Sequence, residues 1–215
     1  MLGLTLGQAP LRVLAVGAHP DDIEIGAGGT LLTLIERGQV AELHWLVLSG
    51  RPPRADEARR SAEAMLAPVA RHTIDIRDFT DGYFPYEGRA VKECFEEVAA
   101  GFEPDLVLTH HRHDLHQDHR VCCELAWNTW RNHLILEYEI PKYDGDMGRP
   151  NLYVPVQEQV CQSKVEHLME HFASQRVKHW FKDDLFRGLM RLRGMECNSA
   201  TSFAEAFYSP KAMIA

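Results

Sequence analysis

Three features of the sequence predict an α/β fold with a mostly parallel sheet and helices on both faces. Short aliphatic runs without polar alternation recur at 11–18, 41–48, 72–76 and 106–109, the pattern of strands buried on both faces. Helical periodicities fall between these runs, as in chains of βαβ units. The first and fourth runs each end abruptly in a polar cluster, and open α/β sheets place their ligands at such strand ends.

Leu11 to Ala18 is the first strand, and it stops where Pro20 lacks an N–H and holds His19 extended. The following Gly26-x-Gly28-Gly29 lacks the spacing of a dinucleotide fingerprint and trails acids that would repel a pyrophosphate. These glycines therefore read as a close approach of the next helix to the sheet. Leu31, Leu32, Leu34 and Ile35 give a short helix that stops at Gly38. Ala41 to Leu48 is the second strand. Arg54 to Leu66 is a helix, with Ala58, Ala62, Met65 and Leu66 at helical spacing. His72 to Ile76 is the third strand. The loop over 78–86 is rich in turn formers and aromatics, suited to stacking on a sugar or to packing.

Ala90 to Gly101 is a helix with Val91, Cys94, Phe95 and Val98 on one face, and Leu106 to Thr109 is the fourth strand. A helix from His116 to about Asn132 follows. Leu134 to Ile140 reads as a fifth strand and the polar loop 141–150 as a cover for the site. Helices over Val156–His171 and Asp183–Arg193 precede Ala204–Tyr208, which closes the chain. No repeat or linker interrupts this order. The expectation is one domain over 1–215, with a core at about 11–140 and a divergent part at about 141–215.

A chain of 215 residues supports one such core without staples. Its net charge of −8 argues against general nucleic-acid binding, which needs a basic surface. The five cysteines form no C-x-x-C pair, which fits a reducing compartment. The first ten residues lack a basic region and a long apolar run, and no stretch approaches the ~18 apolar residues of a membrane span. A cytoplasmic protein is expected.

The chemistry concentrates at the two strand ends. In His19-Pro20-Asp21-Asp22, His19 and Asp22 stand three apart on a turn and can meet one metal ion. Asp21, between them, points elsewhere, and a carboxylate beside a metal that is not a ligand is a natural base. The plainer alternative is a turn whose Asp caps the next helix. The second cluster decides between them. His110, His111, His113, His116 and His119 crowd the end of the fourth strand, whereas structural histidines are usually solitary. His116 and His119 are three apart at a helix start and share a face. Asp114 can orient a ligand histidine through its far ring nitrogen. His19, Asp22 and one of His116 or His119 then make a three-ligand site with an open position for water. The other histidine can stabilise an oxyanion or protonate a leaving group. Arg54 starts a helix, where the dipole does not favour a cation, so it has no obvious structural work. It is a candidate for gripping substrate, against the alternative of a solvated surface arginine.

Ala18-His19-Pro20-Asp21-Asp22 with Asp114-x-His116-x-Asp118-His119 resembles the LmbE-like (PIG-L) family of metal-dependent N-deacetylases. Arg54-x-x-Glu57-Ala58-x-x-x-Ala62-x-x-x-Leu66 and Ala204-Glu205-Ala206-Phe207 resemble two further segments of that family; Ala67 departs from its usual glycine. The likeness covers most of the chain and is weakest over 134–202. It implies a Rossmann-like fold and removal of the acetyl group from N-acetylglucosamine units on small carriers. By this resemblance His19, Asp22 and His119 hold the metal, Asp21 is the base and His116 the electrophilic or acid residue. Arg54 matches an arginine used on substrate. The implied cofactor is Zn2+, with Fe2+ equally suited to the ligands. The expected partner is a small N-acetylated sugar conjugate, and a homo-oligomer is compatible. Two alternatives remain at this point. A non-haem iron oxygenase shares the two-His-one-carboxylate set but usually sits on a β-barrel, and a catalytically inactive sugar-binding relative needs neither Asp21 nor His116.

Overall fold

The computed structural model describes residues 3, 5–7 and 9–213. The two ends of the 1–215 domain reading, and part of the ten residues read for a leader, lie outside the described residues. Strands β1 (Leu11–Gly17), β2 (Val40–Val47), β3 (His72–Ile76), β4 (Leu106–His110) and β5 (Leu134–Tyr138) pair in parallel. With β6 (Leu152–Val156) and β7 (Phe203–Tyr208) they form one sheet in the order β3-β2-β1-β4-β5-β7-β6. The chain runs outward from β1 to β3 and then returns to place β4 on the other side of β1. That reversal opens a crevice at the carboxyl ends of β1 and β4, the switch point at which such sheets bind ligands.

Both faces of the sheet are covered, which explains the missing alternation in its strands. Val13 and Ala15 of β1 enter the core beneath α1 (Asp22–Glu36), α2 (Arg54–Leu66), α5 (Glu158–His171) and α6 (Asp183–Glu196). Leu14 and Val16 enter the opposite core, under α3 (Gly88–Gly101) and α4 (Gln117–Thr129).

The structure corrects the sequence reading in two places. The first helix begins at Asp22, directly after the turn, and carries the glycines within it. Its first three turns are buried nearly all round, so they show no amphipathic stripe, and the apolar spacing is visible only from Leu31 onward. Close approach accounts for Gly26 and for Gly29, whose Cβ would stand 3.0 Å from the Glu205 carboxylate, whereas Gly28 has ordinary room against Lys164. A Cβ at Gly26 would stand 2.1 Å from the Tyr138 ring, which cannot retreat because its hydroxyl donates to the Val16 carbonyl at 2.5 Å. Gly26→Ala is therefore expected to cost about 1–3 kcal/mol through overpacking, read as a lowered Tm.

The second correction is β6, which the sequence reading passed over. Pro155 lies within it, and a proline in a short apolar run argues against a strand unless the strand is at an edge. β6 is that edge. β7 runs antiparallel between β5 and β6, so the final motif is part of the sheet. Its Glu205 accepts the N–H groups of Gly29 and Thr30 at 2.7 and 2.6 Å and the Lys164 ammonium at 2.6 Å. Lys164 also donates to the Ile25 carbonyl at 2.6 Å. Both side chains are buried. Glu205→Ala leaves Lys164 buried without its counter-charge, and a loss of about 3–5 kcal/mol is expected in denaturant unfolding.

Candidate metal and catalytic site

The turn after β1 is built by Asp22, whose Oδ2 accepts the His19 N–H at 2.7 Å. Asp21 occupies the N-cap position of α1 with φ 93°, and its side chain makes no capping bond. A left-handed aspartate costs on the order of 1 kcal/mol or more. The Asp21 carboxylate meets Arg54 and makes no bond to the first N–H groups of the helix, so the side-chain cap of the plainer alternative is not formed. Asp22 sits in the first turn of α1, where the helix dipole favours a carboxylate.

His19, Asp22 and His119 converge. His19 Nδ1 lies 3.3 Å from Asp22 Oδ2 and 3.2 Å from His119 Nε2, and His119 Nε2 lies 3.6 Å from Asp22 Oδ2. Donors held at about 2.0–2.1 Å by one tetrahedral ion stand about 3.4 Å apart. The three side chains therefore fit a single divalent ion, and all three are buried. Burial pushes the His119 imidazolium down to about 3, with His110 adding to the effect, so His119 holds the neutral form a ligand requires.

Each of the two imidazoles meets a carboxylate at its other nitrogen, which fixes ring orientation. His119 Nδ1 is 2.9 Å from Asp114 Oδ2, and Asp114 Oδ1 accepts the His116 N–H at 2.8 Å. His19 Nε2 is 3.2 Å from Asp118 Oδ2. Asp118 is itself fixed by the N–H groups of Gly82 and Phe84 at 2.6 and 3.1 Å.

Sequence reasoning gave no work to Asp118 or to His110, although both lie in the segment it singled out. The usable signals were an acid flanked by histidines and a histidine closing an apolar strand. His110 is fully buried and 3.2 Å from Asp22 Oδ2. Its Nε2 accepts the Ala18 N–H at 2.9 Å, and with Asp22 and His119 it forms a further group whose donor atoms lie within 4.8 Å of one another. His116 caps α4, its Nδ1 accepting the Asp118 N–H at 3.2 Å. This bond leaves the His116 ring proton on Nε2. Burial lowers the His116 pKa, and the His19 charge lowers it further.

Asp21 is buried, and its Oδ2 has no hydrogen-bond partner among the described residues. Burial pushes its pKa up to about 7, against the pull of Arg54. Such a carboxyl is able to take and release a proton near neutrality. Arg54 has structural work after all. Its Nη2 donates to the Pro20 carbonyl at 2.6 Å and to Asp21 Oδ1 at 3.3 Å, while its buried Nε has no partner among the described residues. The loop 141–150 stands beside the site. Asp146 accepts the Leu115 N–H at 2.7 Å, and Lys142 Nζ lies 3.0 Å from Asp114 Oδ2.

This His/Asp cluster is compatible with the active site of a metal-dependent hydrolytic deacetylase. Comparison with known proteins agrees on fold and family. An uncharacterized deacetylase, YaiS of Escherichia coli K12, is 28% identical over 167 residues, covering 74% of this chain and 89% of that protein. The structure is similar to N,N'-diacetylchitobiose deacetylase from Pyrococcus horikoshii, with a TM-score of 0.69, 20% identity and coverage of 91% of this chain and 82% of that one. Teicoplanin deacetylase Orf2, in a zinc-inhibited form, gives a TM-score of 0.70 at 16% identity, covering 92% and 97% of the two chains. GalB, the 4-carboxy-2-hydroxymuconate hydratase from Pseudomonas putida KT2440, gives 0.73 at 18% identity, covering 95% and 98%. At these identities the structural likeness is one of fold, and one fold serves several chemistries. The family model described as PIG-L, GlcNAc-PI de-N-acetylase, matches residues 14–130, from β1 past the end of α4. With more than half its length in that match, the chain belongs to the PIG-L family.

Proposed function

We propose that the protein is a zinc-dependent hydrolase that removes the N-acetyl group from an N-acetylated amino sugar or its conjugate; ferrous iron also suits the donors. The observation that carries this reading is the triangle of His19, Asp22 and His119 beside the unpaired Asp21 Oδ2. When bound, the ion supplies Lewis acidity to the attacking water and the amide carbonyl. Asp21 Oδ2 accepts the proton of that water. Asp21 then passes that proton to the amine as the C–N bond breaks, the His116 Nε2–H donates a hydrogen bond to the developing oxyanion, and Asp114 holds His119 in place. Arg54, whose side chain is 23% exposed, offers its guanidinium to the substrate while its Nη2 braces the turn.

The deacetylases among the similar proteins support this reading. The open, mostly parallel sheet disfavours the iron oxygenase, whose usual frame is a β-barrel. An inactive binding protein has no use for a strained, buried carboxylate with a free oxygen. All five cysteines are free, which fits a cytoplasmic location, and no helix among the described residues is long and apolar enough to cross a membrane.

The test is a panel of N-acetylated sugar conjugates incubated with metal-filled protein and read by mass spectrometry. Loss of an acetyl group with release of a free amine is expected from at least one conjugate. No conversion across the panel, or addition of water to an unsaturated acid instead, would overturn the reading. On an active conjugate, Arg54→Ala should raise KM and leave metal content unchanged. It also removes the cation that draws the Asp21 pKa down. Because the carboxylate is the active form, the acidic limb of kcat/KM should move to higher pH in this variant. A variant with unaltered KM and pH profile would reduce Arg54 to a brace for the turn.

A further inference from the structure

The geometry points to a second divalent-ion site, made by Asp81, His116 and Asp118, whose occupancy inhibits the enzyme. The inhibition rests on the role given to His116 above; the binding does not. His19 separates the two sites. Its Nδ1 faces Asp22 and His119, while its Nε2 lies 3.1 Å from Asp81 Oδ1 and 3.2 Å from Asp118 Oδ2. The His116 ring stands edge-on to His19 at 4.7 Å. Donor atoms of His19, Asp81, His116 and Asp118 all lie within 4.8 Å of one another, a spacing that small side-chain shifts close around a first-row ion.

His19 keeps its Nε2 proton and serves this site as a hydrogen-bond donor. The ion then takes two carboxylates and one imidazole, a donor set that balances a dication and suits zinc. Asp118 is held by two backbone N–H groups, whereas Asp81 is 57% exposed and opens the site to solvent. The Arg54 guanidinium, 3.8 Å from Asp81 Oδ2, opposes the incoming charge. The second site is therefore the weaker one and fills in excess metal. Occupied, it takes a lone pair at His116 Nε2, which moves the ring proton to Nδ1 at the expense of the bond from the Asp118 N–H and removes the Nε2–H that otherwise serves the reaction.

Metal-stripped wild type, Asp81→Asn and His116→Gln are titrated with zinc, bound zinc is counted by equilibrium dialysis, and turnover is followed for wild type and Asp81→Asn. In excess zinc the wild type should hold one ion more per chain than either variant; zinc on remote histidines cancels in this difference. Wild-type turnover should rise to one equivalent and then fall. In Asp81→Asn, measured against its own maximum, half-inhibition should need at least about tenfold more zinc, because losing a ligand costs no less affinity than losing a residue that supports one. Equal zinc counts in wild type and Asp81→Asn, or equal inhibition of the two, would overturn the proposal. If no chain cleaves any N-acetyl conjugate, the zinc difference still decides the second site, and the deacetylase reading fails separately.

Discussion

Asp21→Asn is expected to keep its metal while lowering kcat by about 10²–10⁴, the usual contribution of a positioned general base. The substitution is a clean one. Asparagine tolerates the left-handed backbone that Asp21 adopts at φ 93°, and its amide fills the same volume without accepting a proton. The wild-type base must be deprotonated to act, and burial places its pKa at about 7. Wild-type kcat/KM should thus climb with pH through an acidic limb, and Asp21→Asn should lack that limb. The measurement is a pH–rate profile at saturating metal, with metal content determined on the same samples. A variant that loses its ion would reverse the roles of Asp21 and Asp22.

The second large effect belongs to the ligands. His119→Ala removes one corner of a triangle whose sides are 3.2, 3.3 and 3.6 Å, and Asp22→Asn replaces a carboxylate with a poorer, neutral donor. Even residues that merely support a ligand are worth 10–100-fold in metal affinity. Loss of a ligand itself is expected to exceed this and to take turnover to background. The fold should survive, because Asp114 retains Lys142 as a partner. Metal analysis and circular dichroism together check both points. A His119→Ala protein with full metal content would remove His119 from the site.

Much of this arrangement was legible in the sequence because the chemistry sits where local patterns break. The aliphatic runs ending at His19 and at His110 marked β1 and β4, and the parallel order then brought their ends together. What the sequence hid depends on contacts between distant segments. The early turns of α1 are buried against the sheet and carry no polar face, so apolar spacing marked the helix only from Leu31, and its start at Asp22 surfaced only in the capping alternative. β6 was masked by Pro155, which an edge position tolerates. The brace that Arg54 provides is a backbone contact to Pro20, and side-chain spacing does not encode such contacts. Asp118 orients His19 from across the crevice, 99 residues away in the chain. The pairing of Glu205 with Lys164 and α1 gives the last motif a structural meaning that its residues alone did not carry.

The most direct test is to strip the protein with a chelator, restore zinc stepwise, and follow free amine released from an N-acetylated amino sugar conjugate that the panel identifies. Stripped protein should be inactive, and amine release should return in proportion to zinc up to one equivalent per chain. Equal cleavage by the stripped protein, or an intact N-acetyl group after zinc is fully restored, would contradict a metal-dependent deacetylase built on His19, Asp22 and His119.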